Sequence, residues 1–153
     1  MGSRRRLTEG EYETWDFHID DWEHNYLFSA NRMREEDAPY DESRHFTLYC
    51  TVTYPDPQKG CAAVLHFLPD RNMDAVLAGD VRTYDDLPTA VGNLSTRKND
   101  MNAYVRIPWQ SSTNILQLLS NGTFKYVQLH GRRIKRRGIE VSTMMFAKND
   151  PEA

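Results

Sequence analysis

The sequence predicts a mainly β (α+β) fold: an antiparallel sheet of about six strands, free to curl or to split into two layers, with one helix over about 112–120 packed on it. Three observations lead there. Phe46, Leu48, Cys50, Val52 and Tyr54 alternate with Thr47, Tyr49, Thr51 and Thr53, the period of a half-buried strand. A second alternating segment, Ala63 to Leu68, follows one turn later. In the C-terminal half, Ile115, Leu118 and Leu119 form an apolar stripe at helical spacing.

From the N-terminus, Trp15, Phe17 and Ile19 alternate with Asp16, His18 and Asp20, which predicts a first strand; Tyr26 to Ala30 suggest a second. Arg34 to Ser43 are charged and interrupted by Pro39, and read as an exposed loop. The strand at 46–54 should pair with 61–68 around the turn Pro55 to Gly60. In the register expected, Val52 meets Ala63, Cys50 meets Leu65, Leu48 meets Phe67 and Tyr49 meets His66. These two strands are expected at the centre of the sheet. A short helix is expected over 70–79, with Asp70 as N-cap and Gly79 just past its end. Asp85 to Pro88 and Gly92 to Asp100 read as loop. Ala103 to Ile107 read as a strand that Pro108 ends, followed by the 112–120 helix with Ser111 or Ser112 as N-cap and Gly122 closing it. A last hairpin, centred on Lys135, should set Leu129 against Val141 and Val127 against Thr143.

At 153 residues the chain fits a single domain, 1–153, with 1–14 and 148–153 as candidate disordered tails. No stretch approaches the ~20 apolar residues of a membrane span, and the opening lacks an apolar signal core. The expectation is a cytoplasmic protein without a membrane partner. Cys50 and Cys61 would lie ~13 Å apart along the proposed hairpin, which forbids a disulfide and suits a reducing compartment.

The net charge of −3 hides an asymmetry. Residues 101–153 hold eight Lys and Arg against three Asp and Glu, whereas residues 1–100 hold eleven against nineteen. Much of the excess sits in Arg132, Arg133, Lys135, Arg136 and Arg137 at the last hairpin. Cations on a projecting tip could neutralise phosphates, or meet an acidic protein surface on a partner or another copy.

Other chemistry finds weak footing. His18 and His24 share a strand face ~20 Å apart and point to different sides of a helix, so no metal ligand set is assigned. Tyr49 facing His66 is the best acid–base pair, and such a cross-strand pair is ordinarily a packing contact. The eight glycines form no phosphate-binding loop, no Gly-x-Ser-x-Gly elbow occurs, and no lysine follows an acidic residue by two positions, as a common nuclease motif requires. No cofactor is expected. Trp22 and Trp109 are candidates for partner contact, since large aromatics favour interface hot spots. The function expected is therefore a non-enzymatic protein-interaction or structural module, open to self-association. The alternative is a nucleic-acid-binding accessory protein using the tip 132–137.

Overall fold

Period-two alternation gives each strand one apolar face, and the chain hides these faces by rolling the sheet on itself. The computed structural model describes residues 10–30, 40–79 and 90–152. Among them are β1 (Tyr12–Ala30), β2 (Tyr40–Tyr54), β3 (Ala62–Asp70), α1 (Arg71–Leu77), β4 (Gly92–Arg97), β5 (Asp100–Pro108), α2 (Trp109–Ser120), β6 (Tyr126–Lys135) and β7 (Gly138–Ala147). The strands form one closed barrel in the order β1-β2-β3-β5-β4-β7-β6. Closure is made by β1 and β6, from Tyr12 opposite Arg132 to His18 opposite Tyr126.

The mainly β reading holds, with differences of detail. The described residues carry seven strands and two helices, and the sheet is mixed, because β3 runs parallel to β5. The seventh strand is β4, in the stretch expected to be loop. Its Asn93 and Ser95 face outward while Leu94 enters the core and Thr96, on the same face as Leu94, meets the buried Arg133, so one buried apolar residue and two neighbouring strands override a loop-like composition. The two expected N-terminal strands are a single β1, bent by a bulge at Asp20 where the register with β2 shifts. Residues 12–14, expected in a tail, pair with β6; residues 1–9 lie outside those described, as does the expected loop 85–88. The Arg34–Ser43 loop is described only from Tyr40, where β2 already begins.

Leu48, Leu65, Phe67, Val105, Val127 and Val141 fill the interior, and Phe46 stacks on Phe67 at 5.0 Å. β2 and β3 lie side by side with every inward residue as expected, but their register is displaced by two: Leu48 faces Leu65 and Cys50 faces Ala63. Gly60, at φ 92°, and the short helical turn Asp56–Gln58 bring the chain back earlier than the expected loop does. Cys50 and Cys61 are both free thiols. The final hairpin turns at Arg136 and Arg137 rather than at Lys135, and it sets Leu129 against Met144 and Val127 against Phe146.

α1 forms as expected, with the Asp70 carboxylate accepting from Asn72 N at 2.9 Å and Gly79 at φ 93° beyond its end. α2 starts earlier than the serines suggest. Its N–H groups at Trp109 and Gln110 donate to the Asp74 carboxylate of α1, at 2.9 and 3.2 Å. The cap is thus supplied by another element, which frees Ser112 to donate to Trp109 O and to accept from Arg44. Ile115, Leu116 and Leu119 turn α2 onto the core.

Candidate functional site

Past the Asp20 bulge β1 leaves β6 and, among the described residues, pairs with β2 alone; beyond the last β2–β3 pair the two run on as a two-stranded ribbon, Asn25–Ala30 against Tyr40–His45. Tyr26, Leu27, Phe28 and Tyr40 near its far end are each more than half exposed, and Phe28 stacks on Tyr40 at 5.7 Å. One edge of the ribbon is braced. Arg44 donates to Ser112 and Thr113 of α2, Glu42 bonds Arg71 of α1, and both guanidinium groups lie 4.7 Å from the Trp109 ring. The bracing accounts for Trp109, which stacks cations within its own chain. Trp22 likewise packs part of its ring against the core.

At the opposite end of the barrel the basic run divides. β6 alternates, so the period that turns Val127 and Leu129 inward turns Arg133 inward as well. Arg133 is 1% exposed and forks onto Glu13, with Nε to Oε2 at 2.6 Å and Nη2 to Oε1 at 2.7 Å. Its Nη1 donates to Thr96 Oγ1 and to Arg136 O. The expectation that Arg133 is a surface cation is therefore corrected: it is an internal tie between β1, β4 and β6. Arg132 is exposed and lies 3.9 Å from Glu140. Arg136 and Arg137 are exposed on the turn; Lys135 pairs with Gly138 in the ladder.

The turn does not stand alone. Thr96 N donates to Arg137 O, which brings the β4–β5 turn with Arg97 and Lys98 beside it. Ser95, Arg97, Asp100, Asn102, Arg137 and Gly138 line a shallow hollow there. Sequence reasoning missed Arg97 and Lys98 because β4 and the first residue of β5 fall in the stretch read as loop, although Ala103–Ile107 of β5 was read as a strand. The alternation of Leu94 with Ser95, and of Met101 with Asn102, was the available signal.

On the barrel's outer face Thr47, not Tyr49, stands opposite His66. Tyr49 donates instead to Glu23 at 2.8 Å, so the expected Tyr49–His66 pair does not form. His66 is stacked between His45, at 5.3 Å, and Tyr104, at 4.7 Å, and its Nδ1 lies 3.2 Å from His45 Nε2. Burial, reinforced by the neighbouring His45, holds His66 below the ordinary imidazole range. His18 and His24 are not brought together. His18 bonds Asp20 at 2.8 Å, while His24 lies at the base of the ribbon, opposite Phe46. Burial also raises the Cys50 thiol, the reverse of nucleophile activation.

No helix among the described residues is long and apolar enough to cross a membrane. The chain matches no protein-family model, no curated protein and no solved structure, so no family's residues or activity can be carried over onto these surfaces.

Proposed function

We propose that the chain is a non-enzymatic protein-interaction module that docks through the β1–β2 ribbon, with its own copy as the first partner to examine. The observation that carries this reading is the group Tyr26, Leu27, Phe28 and Tyr40, four large side chains exposed together on a projecting element. A two-stranded ribbon is marginal in water without a third strand or a packed face, and clustered exposed apolar groups favour burial against a partner. Leu27 lies on one face of the ribbon and Tyr26 and Phe28 on the other, so a partner could grip it from both sides. The barrel interior is filled with side chains, which leaves recognition to its outer surfaces. A cytoplasmic location agrees with two free thiols, Cys50 and Cys61.

Sedimentation velocity across a concentration series from low micromolar to several hundred micromolar tests the reading. Sedimentation should speed up with concentration, and Tyr26→Ser with Phe28→Ser should abolish the increase while circular dichroism stays unchanged. Because the contact is largely apolar, the increase should survive added salt. A flat profile for the native chain would remove self-association. Association that persists in the double variant would place the interface elsewhere.

A further inference from the structure

At the end of the barrel away from the ribbon, the outer surface offers a different chemistry. Arg97 and Lys98 on one turn and Arg136 and Arg137 on the next form an exposed cationic rim, joined by the hydrogen bond from Thr96 N to Arg137 O. Among the described residues no carboxylate pairs with Arg97, Arg106 or Arg137. Two carboxylates lie nearby and the four rim cations outnumber them: exposed Asp100 keeps its charge while accepting from Asn102 Nδ2 at 3.2 Å, and Glu140 faces Arg132.

From the hollow between the two turns, a polar track runs up the face of β5. Asn102, Tyr104 and Arg106 point the same way at alternate positions, with Asn102 opposite Ser95 and Tyr104 opposite Asn93 on β4. Tyr104 is 53% exposed. One side of its ring is stacked on His66 at 13° between planes, and His66 in turn on His45, so the phenol is held upright as the end of a three-ring stack. On the β4 side stands exposed Asn93, whose short side chain leaves room beside the ring. Arg97 pairs with Asp100, four positions before Tyr104, so ~13 Å of strand separates the rim from the ring, a distance that an extended single strand and the long arginine side chains can bridge.

From this placement we infer that the β4–β5 face and its rim bind single-stranded nucleic acid. Phosphates lie at Arg97 and Arg137, one unpaired base stacks on Tyr104, and the strand continues toward Arg106. Single strands fit better than duplexes because a stacking platform needs a base free of its partner. This inference does not rest on the ribbon reading, and it replaces the tip 132–137 as a unit: Arg133 is excluded by burial, and Arg97, Tyr104 and Arg106 enter.

Fluorescence anisotropy with labelled oligo(dT) and oligo(U), and a duplex of equal length, across a salt series from 50 to 300 mM, tests it. The native chain should bind the single strands with affinity that falls steeply as salt rises, and bind the duplex at least tenfold more weakly. Arg97→Ser with Arg137→Ser should lower the salt slope by about 1.4, two contacts at ~0.7 each. Tyr104→Ala should weaken binding roughly tenfold or more, and Tyr104→Phe should restore it, since stacking needs the ring and not the hydroxyl. Tyr26→Ser with Phe28→Ser serves as a folded control and should bind normally, which keeps this result separate from the fate of the ribbon. No binding of the native chain at 50 mM salt would overturn the inference. So would equal affinity for the duplex, or binding indifferent to Tyr104→Ala.

Discussion

A single side chain, Arg133, changes how the most conspicuous motif in the sequence is to be understood. An arginine among five cations in six residues invites an electrostatic role, yet this one spends its guanidinium on Glu13, Thr96 and a main-chain carbonyl inside the barrel end. Removing one partner of a buried pair strands the other without water, a loss of about 3–5 kcal/mol. Arg133→Ala and Glu13→Ala should each lower stability to urea by that order, and Arg133→Lys should rescue little because an ammonium cannot supply the fork. Arg136→Ser, on the exposed turn, should stay within about 0.5 kcal/mol. If Arg133→Ala unfolds at the native urea midpoint, the ion pair contributes nothing and the barrel end is held by its ladders alone. One practical consequence concerns binding experiments. Neutralising the whole basic run would confound lost contacts with lost fold, so charge variants should leave Arg133 in place.

At the scale of elements, the same chain holds strands of very different security. β2 and β3 are flanked on both sides within the barrel, whereas beyond Ile19 the outer half of β1 has β2 as its only strand neighbour among the described residues. Hydrogen exchange should show this directly. Amides of Leu48, Cys50 and Leu65 should exchange only through global unfolding, while those of Asn25–Ser29 should exchange several orders of magnitude faster in dilute solution. Slow exchange of the ribbon in a monomeric sample would mean that it is stable alone, which would weaken the case that it awaits a partner. How much of these elements could be read from the sequence follows from the period of two. The inward faces of β2 and β3 were legible because alternation names a face; the register was not, since sliding by two positions leaves every face unchanged. Arg133 was legible by the same alternation, but the density of charge around it hid the pattern. β4 was concealed by its polar composition, and with it the neighbourhood of Arg97, Lys98 and Tyr104. The N-cap of α2 could not be found locally, because Asp74 supplies it from another helix. The ribbon was hidden by its length: Tyr26–Ala30 reads as a strand, and nothing in its pattern says that it projects.

For the molecule as a whole, the fold keeps two imidazoles in surroundings that oppose their charge, and global stability should follow. Burial, then the field of Arg44, lowers His24; burial, then His45, lowers His66, which also faces Thr47 and Tyr104. The unfolded chain holds both near the usual ~6.5. Below that value the unfolded state binds more protons than the folded one, so stability rises with pH through the window beneath 6.5 and is complete above it. A buried carboxyl acts in the opposite sense. Asp16 is fully buried, and desolvation raises it even though Gln128 donates to it at 2.9 Å, with Glu152 and Asp150 adding to the rise. Its ionisation therefore costs stability as pH climbs from about 4 through its folded value. The two effects oppose each other in mildly acidic solution, and the pair of imidazoles should dominate the fall from neutrality toward pH 5. Melting temperature should accordingly drop as pH is lowered from 7.5 to 5. His66→Gln should make the curve shallower over that range, and Asp16→Asn should leave the acid limb in place while raising stability at neutral pH. A melting temperature that rises steadily on acidification would mean that Asp16 outweighs both histidines.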